Sequence, residues 1–203
     1  MSSETNQTGF TKLPIEIGDL SLRRPTVQDF KDFVEFYCDE EVSRFQLFEP
    51  WSEEKVAFHL ESQLGVRIGD PGLAICLAVV HRPDWKVIGE VSITIQDVET
   101  PQADIGFTMN PRYWGRHLGS LAVHALLGFG FGRMGMHRIY AFADTRNERS
   151  WRLMERAGMR REGHFVRWRK IKDEWVDDYG YAMLADEWRP DVAREILSRA
   201  SAS

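Results

Sequence analysis

The residues best placed to do chemistry fall within 105–120, the run IGFTMNPRYWGRHLGS. Ile105, Phe107 and Met109 alternate with smaller or polar residues, which is the period of a strand. Pro111 ends that strand, because proline cannot donate to a sheet ladder. Leu118, Leu121, Ala122, Ala125, Leu126 and Phe129 then recur at three- and four-residue spacing, which is the period of a helix. The joining turn carries Gly115 and Gly119 and delivers backbone N–H groups with no partner inside the helix. Together with the positive end of the helix dipole they form a site for an anion, typically a phosphate. Two familiar phosphate cradles do not fit. The Walker type needs a Gly-Lys-Ser/Thr ending, which is absent, and the dinucleotide type needs G-x-G-x-x-G, which glycines at 115 and 119 do not supply.

Other groups are weighed beside this turn. Asn147 follows a strand-like run and suits a helix N-cap, with Ser150 one turn inside. Glu90 and Asp104 lie on predicted central strands and serve either as a general base or as hydrogen-bonded strand carboxylates. His59, His81, His124, His137 and His164 show no catalytic arrangement and read as structural or exposed. Trp168, Trp175 and Trp188 read as packing. Gly128, Gly130 and Gly132 lie in an apolar helix, where each costs about 1 kcal/mol relative to alanine, so close packing on a sheet accounts for them better than a loop. No activated nucleophile and no Cys/His cluster with metal-ligand spacing is present.

Five landmarks carry a family resemblance. Tyr113-Trp114-Gly115-Arg116-His117-Leu118-Gly119-Ser120 resembles the pyrophosphate loop of the GNAT superfamily of acetyl-CoA-dependent N-acetyltransferases, in its RimJ/RimL-type branch. His117 departs from it, standing where a glycine is usual. Met136-His137-Arg138-Ile139, Asp144 to Ser150, Leu153 to Gly163, and Trp175-Val176-Asp177 resemble the family's later signatures in the same order. The resemblance covers roughly residues 20–188.

It implies that acetyl-CoA is a co-substrate, with no metal. Its pyrophosphate would lie on Trp114, Gly115, Arg116, His117, Leu118, Gly119 and Ser120. Its pantetheine arm would pair with Phe107, Thr108 and Met109 in a gap between splayed strands, with Asn147 as a further hydrogen-bond partner. Ser150 would protonate the leaving thiolate. For His117, a backbone contact with the side chain in solvent is preferred over a charged-donor role or a steric obstacle. The RimL-type glutamate after the Gly158 turn is replaced by Arg169, which cannot act as a base. Glu90 and Asp104 therefore remain the candidate bases.

Bulk composition fits one ordinary domain. The chain has 203 residues, 43% of them apolar and 28% charged, with a net charge of −5. No apolar run is long enough to span a bilayer, and the polar N-terminus lacks a secretory pattern, so a cytoplasmic location is expected. Cys38 and Cys76 read as buried free thiols. Residues 28–61 hold ten acidic and three basic side chains, and residues 137–172 hold four acidic and eleven Lys/Arg. These are either two solvated surfaces, or an acidic side for an ammonium acceptor and a basic side for the coenzyme's phosphates. The overall acidic balance speaks against nucleic acid as a partner.

Along the chain the patterns predict a tail over 1–12, one domain over 13–188 and a short helical tail over 189–203. The element order is β-α-α-β-β-β-α-β-α-β-β, with Ile15–Arg24 as a single first strand. That order predicts a mixed α/β fold: a largely antiparallel sheet of about seven strands with a central splay and helices on both faces. The function expected from the resemblance is acetyl transfer to a primary amine, foremost a protein or peptide N-terminal α-amine, by direct attack on the thioester. The rivals are a small-molecule acceptor such as an antibiotic or polyamine, and a binding module without catalysis. Either a monomer or a homodimer is compatible with the sequence.

Overall fold

A computed structural model describes residues 10–97 and 99–200. Eight strands form one sheet in the order β1-β2-β3-β4-β5-β6-β8-β7. They are β1 Ile15–Ile17, β2 Leu20–Arg23, β3 Ala74–His81, β4 Lys86–Asp97, β5 Gln102–Met109, β6 Arg138–Asp144, β7 Arg160–Ile171 and β8 Glu174–Leu184. The helices are α1 Phe30–Tyr37, α2 Glu40–Ser43, α3 Glu53–Gln63, α4 Leu118–Gly132, α5 Glu148–Arg156 and α6 Val192–Ala200. The predicted first strand is in fact a hairpin. Gly18 takes φ +53°, a left-handed conformation that suits glycine, and folds Ile15–Ile17 back onto Leu20–Leu22. This turn accounts for eight strands where about seven were expected.

All neighbouring pairs are antiparallel except β5 with β6. Those two parallel strands pair only from Gln102↔Arg138 to Asp104↔Tyr140, although both run on beyond it. They part over Ile105–Met109 and Ala141–Asp144, which is the predicted splay. α4 packs on one face, within a core that includes Ile93, Ile105, Leu121, Leu126, Phe129 and Ile139. α1 and α3 cover the other face at its β3–β4 end through Phe33, Phe36, Val56 and Leu60. α4 lies close to the sheet because its glycines allow it. A Cβ on Gly130 would stand 2.5 Å from Ile139 Cδ1 and 2.8 Å from Ile93 Cδ1, and one on Gly128 would stand 2.6 Å from Trp188 Cζ2.

Most of the expected N-terminal tail lies outside the described residues. Phe10, however, packs edge-on against Trp188, with ring centroids 5.3 Å apart, and so belongs to the core's rim. α6 likewise buries Ala193 and Ile196 in the main core.

Candidate active site

The cleft begins where β5 and β6 part. It holds about 360 Å³ and is lined by Phe107, Thr108, Met109, Trp114, Gly115, His117, Leu118, Gly119, Ser120, Asn147 and Ser150, a volume within the range of small-molecule sites. Every sequence-predicted coenzyme residue except Arg116 lies on its wall. Arg116 turns aside, its guanidinium 5.2 Å over the Tyr113 ring. Glu41, Val42, Phe45 and Gln46 close the cleft from the α2 side.

The ladder alternation decides which backbone groups enter the splay. Asn110 N–H donates to Ile88 C=O at 2.8 Å, so Thr108, two residues earlier, exchanges its backbone bonds with Glu90 on β4. Phe107 and Met109 therefore aim theirs toward β6, where no strand receives them. Thr108 contributes its side chain to the cleft rather than its backbone. The Met109 carbonyl accepts the Trp114 indole N–H at 2.9 Å. Phe107 N–H, Phe107 C=O and Met109 N–H remain available for an extended ligand arm.

At the mouth, α4 presents its first turn of unpaired N–H groups. Gly115 has φ +79° and His117 φ +59°, so the loop enters the helix through two left-handed residues. That conformation explains why glycine is usual at position 117. The imidazole offers no side-chain cap to the helix. Burial, with Arg156 and Arg199 nearby, holds its pKa below the ordinary 6.5. Gly119 serves packing, since a Cβ there would stand 2.6 Å from Leu153 Cδ1. Arg152 and Arg156, together with His117 and Arg199, line an adjoining recess. Burial depresses the Arg156 pKa, and crowding by Arg152 and Arg199 adds to this, as expected of cations gathered for an anion. Sequence reading placed Arg152 and Arg156 only within a charged run. Their i,i+4 spacing on α5 is the signal that singles them out.

Asn147 caps α5, its Oδ1 accepting Ser150 N–H at 3.1 Å, which leaves the amide NH₂ of Asn147 for another partner. Ser150 sits in the cleft wall across from β5. Asp104 does not reach the cleft. It lies at the closed end of the splay, bonded to Gln96 at 3.1 Å, and desolvation raises its pKa. Arg169 is paired with buried Asp178 at 2.7 Å.

Glu90 is 4% exposed and lies behind the cleft wall rather than on it. Its Oε1 accepts the Tyr37 hydroxyl at 2.7 Å, and its Oε2 lies 2.8 Å from His59 Nε2. The Cys76 thiol lies beside the same carboxylate, and burial together with that charge pushes its pKa well up. His59, Cys76 and Glu90 bring metal-ligand atoms within 4.8 Å of one another. The carboxylate is nevertheless already satisfied by protein partners on both oxygens. Tyr37 and His59 escaped sequence reading because they lie 53 and 31 residues from Glu90, on α1 and α3, and no local spacing links them.

The acetyltransferase (GNAT) domain model matches residues 19–160, which include the splayed strands and the start of α4. The chain belongs to the GNAT family of acetyltransferases. Among GNAT relatives, the uncharacterised N-acetyltransferase YnaD of Bacillus subtilis is 42% identical over 85 residues, spanning 42% of this chain and half of that protein. The uncharacterised N-acetyltransferase p20 of Bacillus licheniformis is 24% identical over 83% of this chain and 94% of its own. The crystal structure of a GNAT-family acetyltransferase from Bacillus anthracis superposes with a TM-score of 0.76 at 27% identity, covering 84% of this chain and 98% of that one. Two further structures share the fold. One is the ribosomal-protein-S5-alanine acetyltransferase of Vibrio fischeri, with TM-score 0.73, 21% identity and coverage of 88% of this chain and 100% of that one. The other is the spermidine N-acetyltransferase of Vibrio cholerae in complex with CoA and spermine, with TM-score 0.72, 18% identity and coverage of 84% and 98%. No helix among the described residues is long and apolar enough to cross a membrane.

Proposed function

We propose that this GNAT enzyme transfers the acetyl group of acetyl-CoA to the N-terminal α-amine of a protein or peptide, as RimJ/RimL-type enzymes do. The coenzyme assignment rests on the splay, where Phe107 and Met109 offer unpaired backbone groups to a pantetheine arm and the α4 N-terminus with Arg152 and Arg156 faces the phosphates. A backbone N–H of Phe107 or Met109 would polarise the acetyl carbonyl, and Ser150 would protonate the departing thiolate. The amine attacks directly, since no activated nucleophile stands in the cleft.

One observation favours an α-amine over a polyamine. Five of the ten carboxylates of the acidic segment are engaged in ion pairs with Lys and Arg from other segments. Asp29 pairs with Arg23, Asp32 and Glu35 pair with Lys86, Glu41 pairs with Arg149 and Glu49 pairs with Lys172. The acidic and basic segments thus neutralise one another in part, which weakens the hold of this surface on a polycation. The acceptor side of the cleft offers Phe45, Gln46 and Phe107 beside Glu41, whose carboxylate is paired with Arg149, and this suits a single amine with a short side chain. Thiol release from acetyl-CoA, measured with alanine- and serine-initiated peptides beside spermidine and aminoglycosides, tests this. Peptides should give the highest kcat/KM. Preference for spermidine would overturn the acceptor assignment and leave the coenzyme assignment standing.

A further inference from the structure

Asp84 lies outside the cleft, on the turn between β3 and β4, yet it is bonded to the loop that leads into α4. Tyr113 donates its hydroxyl to Asp84 Oδ2 at 2.7 Å, and His81 Nδ1 lies 2.8 Å from the same oxygen. These two contacts hold the Asp84 carboxyl below its ordinary range, so it is ionised and accepts from both. The turn that carries it is preset. Pro83 lies within its single helical turn, and Trp85 closes it at φ +51° with its N–H on Arg82 C=O at 3.2 Å. The His81 side chain is 4% exposed, so burial fixes the imidazole, and the imidazole in turn holds the carboxylate. Tyr113 ends the short turn Pro111–Tyr113, two residues before Gly115, and lines the cleft. The His81 ring meets it edge-on, with centroids 5.5 Å apart, and the Arg116 guanidinium lies 5.2 Å over it. The start of the same loop is tied separately. Asn110 is 2% exposed, its Oδ1 accepts Arg112 N–H at 3.1 Å, and its amide donates to Glu35 Oε2 on α1 at 3.2 Å.

Resting on the coenzyme assignment, we infer that Asp84 is a positioning residue for acetyl-CoA, fixing Tyr113 and with it the loop that carries Gly115 and Arg116. Trp114, the next residue, is tied to Met109 C=O at 2.9 Å, so successive side chains of the loop are held by the β3–β4 turn and by β5. Without the carboxylate, the Tyr113 hydroxyl loses its partner and the ring keeps only its contacts with His81 and Arg116. The coenzyme would then order the loop as it binds, and that ordering cost appears as weaker affinity. Neither Asp84 nor His81 lines the cleft, so neither touches the reacting atoms. Loss of Asp84 therefore acts on acetyl-CoA binding and leaves turnover at saturation in place.

The test is a double-mutant cycle in the full chain, read as calorimetric affinity for acetyl-CoA. Tyr113→Phe removes the hydroxyl and keeps the ring, Asp84→Ala removes the acceptor, and Asp84→Asn keeps an acceptor oxygen. Melting temperature establishes that each variant is folded. Tyr113→Phe and Asp84→Ala should each weaken acetyl-CoA binding about threefold to tenfold. The double variant should lose no more than Asp84→Ala alone, because both substitutions break one contact. Asp84→Asn should retain most of the affinity, and Asp84→Ala should keep kcat at saturating acetyl-CoA. Hydrogen exchange over residues 112–119 in the coenzyme-free protein should be faster in Tyr113→Phe, a readout that stands even where Asp84→Ala does not fold. Wild-type affinity in Tyr113→Phe would overturn the positioning role. So would additive losses in the cycle, or weakened affinity with unchanged exchange, either of which assigns the hydroxyl a direct contact with the coenzyme. Failure of the wild type to bind acetyl-CoA would overturn the coenzyme assignment itself, and the positioning role with it.

Discussion

Trp114 donates its indole N–H to the main-chain carbonyl of Met109 at 2.9 Å, joining the loop that leads into α4 to the last residue of the splayed strand. The same ring lies under the Arg149 guanidinium at 4.4 Å, so one side chain ties loop, strand and α5 together at the cleft. Trp114→Phe keeps an aromatic face for Arg149 but removes the hydrogen bond. A loss of about 1 kcal/mol in site order is expected, read as acetyl-CoA affinity weakened roughly fivefold in calorimetry. Unchanged affinity would show that the loop holds its position without this bond.

His117 occupies a left-handed position without capping α4 through its side chain, so glycine should replace it at no loss. Relief of the strain should raise stability by up to about 1 kcal/mol, seen as a melting temperature a few degrees higher. Acetyl-CoA affinity should be preserved or slightly improved. Because the imidazole pKa is held below 6.5, the ring is neutral at pH 7, and affinity should not fall as pH rises past that value. A large loss of affinity in His117→Gly would instead assign a phosphate contact to the side chain.

Ser150 reaches the cleft only through its side chain, since its N–H is spent on Asn147 Oδ1. Ser150→Ala should therefore lower kcat by about tenfold to a thousandfold while acetyl-CoA affinity stays nearly unchanged, as befits a group that acts on the leaving thiolate in the transition state. Equal losses in affinity and turnover would recast Ser150 as a binding residue.

Asp104 is the carboxylate that sequence left level with Glu90, and its position at the closed end of the splay separates it from the chemistry. Asp104→Asn should retain near-wild-type turnover, whereas Glu90→Gln should lose it near neutral pH. Desolvation raises the folded-state pKa of Asp104 above 3.8, so the folded protein holds this proton more tightly than the unfolded chain. The stability it contributes is full below pH 3.8 and is lost as pH rises through the raised value. Asp104→Asn should accordingly unfold with a shallower dependence on pH in that acidic range. A collapse of kcat in Asp104→Asn with unchanged melting temperature would return it to the site.

Much of this protein was legible in order along the chain. The strand–turn–helix over 105–120, the Asn147 cap and the positions of most elements are local events, set by periodicity, proline and capping within a few residues. They carried both the fold class and the set of residues that line the cleft. The close seat of α4 was legible in Gly128 and Gly130, although their contacts with Trp188, Ile93 and Ile139 were not. What the chain concealed depends on side chains brought together from distant segments. Glu90 and Asp104 look alike as strand carboxylates, and only the covering of one end of the sheet by α1 and α3 supplies Tyr37 and His59 to Glu90. The acidic and basic runs looked like two separate surfaces, yet the fold sets Glu41 against Arg149 and Glu49 against Lys172 and so pairs part of that charge. Local backbone preference determined the elements and the turn that opens α4. Tertiary packing alone decided which charged groups are buried, paired or presented to the cleft, because those energies depend on neighbours that sequence spacing does not encode.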